Sequence, residues 1–189
     1  GGDDTLQGRD DVPSTWTRTT YNDGAETLTF SGFGTAAGRA ASDTLLGNDA
    51  ATDVDDDVFT VAAAAATGAV TLTQAAGRQK FTGIDKLSGL GGADDFDLNA
   101  DFGCAVNGGA GTDQFSIDAT QSGVLDGGTG SDEFVITAGA ILSGTGVRLT
   151  GGTEVAGDID TLNVANDGGA VPLVVSLESV TADGFSGTE

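Results

Sequence analysis

Short runs of alternating apolar and other residues punctuate the chain, and three of them fall into register. Phe96 and Leu98, Phe115 and Ile117, and Phe134 and Ile136 each stand two positions apart. Residues two apart share one face of a β-strand, so each pair predicts a short strand with a buried face. The step from one pair to the next is 19 residues, both times. A second apolar column, Leu87, Val106 and Leu125, keeps the same step and predicts a second strand in every unit. Gly89, Gly108 and Gly127 follow it, then Gly92, Gly111 and Gly130, and then Asp94, Asp113 and Asp132. Each unit reads as strand, glycine turn, strand, second turn. The predicted fold is all-β: a right-handed parallel β-roll or β-solenoid with about 19-residue coils, stacked at the inter-strand spacing of ~4.8 Å.

Outside residues 83–144 the same alphabet recurs without the spacing. Asp57-Val58-Phe59-Thr60-Val61 and Asp160-Thr161-Leu162-Asn163-Val164 repeat the Asp-x-apolar-x-apolar pattern. Asp4-Thr5-Leu6 and Asp43-Thr44-Leu45 are shorter traces, and Glu26-Thr27-Leu28-Thr29-Phe30 reads as a variant with Glu in place of Asp. Gly144 to Gly157 reads as an insertion, and Val171 to Val180 as a strand near one end. Residues 1–189 are therefore expected to form a single solenoid domain with a regular core and less regular coils at 1–82 and 145–189. The chain starts in the middle of the pattern and has no Met, so it is expected to be part of a longer protein.

Composition sharpens this. The formal charge is −22, and only five of the 29 acidic residues are Glu. Asp favours turns and caps where Glu favours helices, and 32 glycines point the same way. Hydrophobic residues make up 38%, enough for a narrow core if the aspartates are neutralised, which argues against disorder. Such a surface repels phosphate, so nucleic acid is not an expected partner. No run is long enough to span a bilayer. A single cysteine, Cys104, excludes an internal disulfide framework and reads as a small buried thiol. With no His, there is no Ser–His or Cys–His relay and no imidazole metal site. Carboxylates are too many for a glycosidase-like pair to be singled out, and no motif marks a calcium–arginine lyase arrangement. The chain is not expected to be an enzyme.

Gly108–Ser116 and Gly127–Val135 each match the nonapeptide G-G-x-G-x-D-x-U-x, and the unit at Gly89 departs at Leu90. In these residues, over about a third of the chain, the sequence resembles the repeats-in-toxin (RTX) family of secreted proteins. The resemblance implies a parallel β-roll, calcium binding and type I secretion. The loop chemistry leads to the metal by a separate route. Glycines can turn backbone carbonyls to one side, and Asp adds a carboxylate there. Ca²⁺ takes six to eight oxygens at 2.3–2.6 Å, a reach that fits between coils ~4.8 Å apart. The candidate ligands are Asp94, Asp113 and Asp132, with carbonyls of Gly89, Gly91, Gly108, Ala110, Gly127 and Thr129. Because one motif alternates with a plain strand, calcium would line a single edge. The competing reading is ordinary glycine turns with capping Asp side chains. Asp53, Asp55, Asp56 and Asp57 read as a solvated charge run.

Trp16 and Tyr21 beside Thr-rich sequence predict an edge strand or assembly contact, with a sugar-binding surface as the alternative. Val61 to Ala66 reads as a short connector, and Arg78 and Lys80 as surface ion-pair partners of Asp85. The functional expectation is a calcium-stabilised structural component of an extracellular assembly, such as an S-layer, filament or adhesin stalk. The alternative is the secretion or folding module of a larger RTX-type enzyme or toxin. Self-association into a polymer or lattice is expected, and a cell-surface polysaccharide is a candidate partner. An ice-binding solenoid would need an outward Thr ladder, and the column Ala93, Thr112, Ser131 does not supply one.

Overall fold

In a computed structural model, the described residues are 4–39, 42–48, 57–61, 69–103, 105–119, 121–137, 140, 148–153 and 157–164. They form strands and turns, with no helix among them, arranged as two sheets of mostly parallel strands. The regular stretch sets the pattern. Strands β10 (Lys86–Gly91), β12 (Ala105–Ala110) and β14 (Val124–Thr129) lie side by side in one sheet. Strands β11 (Asp95–Leu98), β13 (Gln114–Ile117) and β15 (Glu133–Ile136) lie side by side in the other. Phe96 pairs with Phe115 and Phe115 with Phe134, so the 19-residue step of the sequence is the register of the sheet.

The chain crosses from one sheet to the other and back, and the two inner faces meet. Phe96, Leu98, Phe115, Ile117, Phe134, Leu87, Val106 and Leu125 are all buried there, while the residues between them face outward. Adjacent phenyl rings stack face to face: Phe59 on Phe96 at 4.8 Å, Phe96 on Phe115 at 4.8 Å, and Phe115 on Phe134 at 4.5 Å. The spacing is that of neighbouring strands, so backbone pairing sets the ring separation and the rings fill it.

The flanks join the same two sheets by less regular paths. Strand β17 (Thr161–Val164) continues the first Phe column, with Leu162 beside Phe134. Strand β16 (Arg148–Gly152) pairs with β14. Residues 144–157, read as an insertion, thus carry a strand of the second sheet. On the other side, β7 (Val58–Val61) pairs in parallel with β11, Phe59 against Phe96. Then β8 (Val70–Gln74) and β9 (Gly77–Thr82) fold back as an antiparallel meander within the same sheet. Strand β9 in turn lies parallel to β5 (Thr35–Ala37), which lies parallel to β1 (Thr5–Gln7). The other sheet runs through β6 (Thr44–Leu46) to β2 (Thr15–Trp16), β3 (Thr20–Asn22) and β4 (Thr27–Thr29).

Several sequence expectations change here. Glu26 to Phe30 is no repeat variant: β4 is the last strand of an antiparallel meander. Trp16 is fully buried and Tyr21 nearly so, packed with Phe30 and Phe81 at that end of the core. They therefore offer no sugar platform, and Trp16 has a strand on each side. Among the described residues no ion pair joins Arg78 or Lys80 to Asp85; Asp85 instead accepts from the backbone N–H groups of Ser42 and Asp43. Cys104, most of the connector after Val61, and the strand read at Val171 to Val180 lie outside the described residues.

Candidate functional site

The sandwich has two edges where the chain turns between sheets. The glycine-rich turns all lie on one. Asp94, Asp113 and Asp132 follow strands β10, β12 and β14, and the next strand begins immediately after each. Their side chains point inward beneath the turn, at about 1% exposure. Each Oδ1 accepts a hydrogen bond from the Asp backbone of the preceding unit: Asp94 N–H to Asp113, and Asp113 N–H to Asp132, both at 2.9 Å. The capping expected of Asp is therefore present, but it acts between units rather than within one turn.

Two members outside the motif belong to the same ladder. Asp57 N–H donates to Asp94 Oδ1 at 3.0 Å, and Asp132 N–H donates to Asp160 Oδ1 at 2.9 Å. Asp57 is buried, so it is a ladder residue and not part of a solvated charge run. Asp160, suggested only by an irregular echo, is equally buried. Asp43 is buried too, but on the opposite edge, where its Oδ1 accepts from the backbone and hydroxyl of Ser14 and its Oδ2 faces one isolated notch made by Gly38 and the Gly83 carbonyl. Asp4 is exposed.

The second oxygen distinguishes this ladder from simple caps. Oδ2 of Asp113 and of Asp132 is buried and receives no hydrogen bond among the described residues. It occupies a notch that exists because the turn begins with glycine: a Cβ on Gly108 would collide with Asp113 Oδ2 and with the carbonyl oxygen of Gly127 from the next unit. The notch recurs at Gly89 with Asp94 and the Gly108 carbonyl, and at Gly47 with Asp57 and the Gly89 carbonyl. Gly127 and Gly151 face Oδ2 of Asp132 and of Asp160, with only that Asp side chain among the nearest atoms. At Gly47, Gly89 and Gly108 a carboxylate and a carbonyl oxygen thus converge on one small space. At Gly47 the Asn48 N–H donates to Asp57 Oδ2; at Asp113, where no donor is described, the two oxygens repel unless a proton or a cation lies there.

The remaining candidates differ in role. The carbonyls of Ala110 and Thr129 accept from the N–H groups of Gly92 and Gly111. Gly109, Gly111, Gly128 and Gly130 hold positive φ, with φ of 117°, 137°, 107° and 122°, which lets successive turns nest against one another. Leu90 takes the same region at φ 76°, where its neighbours have glycine. Nothing described sets Gly91 apart as a ligand. Among the described residues no three carboxylate or thiolate side chains gather round one point, so a cation here would draw mainly on carbonyls with one or two carboxylates.

Electrostatics reflect the missing donor. Burial pushes the Asp113 carboxyl up to about 7; the Asp94 N–H pulls it down, and the charges of Asp132 and Asp95 push it further up. Burial likewise raises Asp132 to about 6, offset by the Asp113 N–H and reinforced by Asp160, Asp126 and Asp158. Near neutral pH these turns sit at the boundary between holding a proton and needing another positive charge.

No family model matches the chain, and no curated protein and no solved structure shows detectable similarity to it.

Proposed function

We propose that this chain is a calcium-stabilised structural component of an extracellular surface assembly, an S-layer, filament or adhesin stalk, wound as a right-handed parallel β-roll. One observation carries the reading: the buried Oδ2 atoms of Asp113 and Asp132 face a glycine notch with no donor to meet them. The donor set suits a hard divalent cation, since it consists of carboxylate and carbonyl oxygens with no nitrogen or sulfur. Asp94, Asp113 and Asp132, with the carbonyls of Gly108 and Gly127, are the residues that would hold it. The ion would supply positive charge to a ladder of buried like charges. The chain supplies the rest: glycine keeps the space open, Oδ1 locks the turns together, and the phenyl column fixes their spacing.

The extracellular part of the proposal follows from the same chemistry. Extracellular calcium modules bind with Kd of ~10⁻⁴–10⁻³ M, so the fold would be favoured where calcium is millimolar and disfavoured in a cytosol. A structural role fits a chain whose described chemistry is repetitive and internal and whose sequence has no histidine to serve as a base.

The test is circular dichroism through a calcium titration at pH 8, above the raised values of Asp113 and Asp132. Strand signal and melting temperature are expected to rise with calcium and fall in excess chelator. An unchanged strand signal and melting curve in chelator would remove calcium from the account and leave protons or water as the occupants of the notches.

A further inference from the structure

The outer face of the nine-stranded sheet is electrically divided. Only seven residues of the chain are basic. Arg9 pairs with Asp11 and Asp23, and Arg39 with Asp10. Arg78 and Lys80 project together from β9 and have no ion-pair partner among the described residues. Three strands away on the same face, β11 carries Asp95 and Asp97. Both charged pairs stand at the same heights along their strands. The register runs Lys80–Thr71–Thr60–Asp97 in one row and Arg78–Thr73–Val58–Asp95 in the other.

This placement is self-complementary. The strand order is β9, β8, β7, β11, so the seam between β8 and β7 lies midway between cations and acids. A two-fold axis in the interface plane, parallel to the strands and above that seam, exchanges left and right but keeps height. It brings β9 of one copy over β11 of the other. Lys80 then meets Asp97, Arg78 meets Asp95, and symmetry makes each contact twice. The row residues under the axis, Thr60, Thr71, Thr73 and Val58, are short enough to let two sheets approach. The charged strands stand only about 7 Å from the axis, so sheet twist displaces them little.

We propose that this face is an isologous interface between two copies of the chain. Charge complementarity selects a second copy over any generic acidic or basic partner, because both signs are needed in this order at this spacing. A flat footprint of the eight strands that overlap about this axis, by four residues, covers about 500 Å² per copy, or about 1,000 Å² in all, at the low end of specific interfaces. The dimer is accordingly weak and salt-sensitive, and it pairs stacks side by side, which is different from extending them end to end.

The experiment is sedimentation velocity in millimolar calcium. Wild type is expected to dimerise at low salt and to dissociate at least about ten times more readily at ~0.5 M salt. Arg78→Glu/Lys80→Glu and Asp95→Lys/Asp97→Lys are each expected to be monomeric, the first while melting like wild type. An equimolar mixture of the two is expected to form a heterodimer. Because Asp95 adjoins Asp94, Asp97→Lys alone is the second acidic-side variant, expected to weaken dimerisation about tenfold. Wild type that is monomeric at ~1 mM, variants that associate as wild type does, a mixture that stays monomeric, or growth to large polymers in every variant each overturn the proposal.

Discussion

In the regular coils the two edges of the sandwich solve the same problem with different chemistry. Each must cap a backbone N–H with a side-chain oxygen from the next unit. On the edge opposite the glycine turns, Gln121 does this: its Oε1 accepts from Phe102 N–H at 3.2 Å. Its Nε2 then donates to the carbonyls of Ala100 and Ala119, at 2.8 and 3.4 Å. Gln121 is as buried as the aspartates, yet its amide is satisfied on both sides. On the glycine edge, Asp113 makes the equivalent cap and then turns a second, negatively charged oxygen toward another carbonyl. A neutral amide completes the bonding at one edge, so capping alone does not require a charge at the other. The acid edge is built for an occupant that brings positive charge.

The largest effect should be indifferent to this contrast and so calibrate it. Phe115 is stacked between Phe96 and Phe134 and has no exposure. Phe115→Ala is expected to cost about 3–5 kcal/mol by denaturant unfolding, equally with and without calcium. A loss confined to the calcium-free protein would mean that core and edge are coupled.

Next, the amide edge can be converted to the acid type. Gln121→Glu leaves a carboxylate oxygen against the Ala100 and Ala119 carbonyls and is expected to cost about 1–3 kcal/mol above neutral pH. Calcium should restore little, because no glycine notch faces Gln121; the notch described on this edge, at Gly38, serves Asp43. Full restoration would show that any buried carboxylate suffices.

Filling a notch is the converse. Gly108→Ala places a methyl against Asp113 Oδ2 and the Gly127 carbonyl, with an expected cost of about 1–3 kcal/mol and a reduced calcium response. Gly103→Ala, on the other edge, is strained by its φ of 72° but would make only ordinary contacts, with Ser122 and Asp101. It should cost about 1 kcal/mol and leave the calcium response intact. Equal calcium responses in the two variants would contradict the assignment of the notch.

The subtlest effect is on pH dependence. Asp113 and Asp132 have carboxyls raised from 3.8 to about 7 and about 6. A raised carboxyl stabilises the folded state in its protonated form. In chelator that contribution is complete below about pH 4 and is lost as pH rises through 6 and 7. Melting temperature in chelator should therefore decline over this window, less steeply in Asp113→Asn, and calcium should flatten or reverse the decline. A chelator profile that rises with pH would contradict the burial-driven shifts.

Much of this was legible where the sequence period and the sheet register coincide. Between Leu87 and Ile136 each apolar and glycine column maps onto a row of paired residues, because every unit takes the same path. The ladder's outer members were harder to see, since their glycine and Asp are far apart in sequence. Gly89 and Asp94 are five residues apart, whereas Gly47 and Asp57 are ten apart and Gly151 and Asp160 nine. The closing contact is the same while the loop length differs, so Asp57 looked like a member of a solvated acidic run. Trp16 and Tyr21 misled for a related reason: aromatic residues among threonines suit a surface equally well until Phe30 and Phe81 are known to surround them. The pairing of Gln121 with Phe102 had a faint signal in the 19-residue separation, but no motif names an amide cap.

The central claim is that the acid edge trades a proton for a cation, and an amide there tests it most directly. In Asp113→Asn/Asp132→Asn, Oδ1 still caps the preceding turn, and an N–H₂ replaces the donorless oxygen. Unfolding free energies of this variant and wild type should be measured at pH 8, in chelator and in millimolar calcium. The account predicts that the sign of the mutational effect reverses: about 1–2 kcal/mol more stable than wild type in chelator, and less stable than wild type in calcium. The same sign and size in both conditions would contradict it, leaving the aspartates as caps and nothing more.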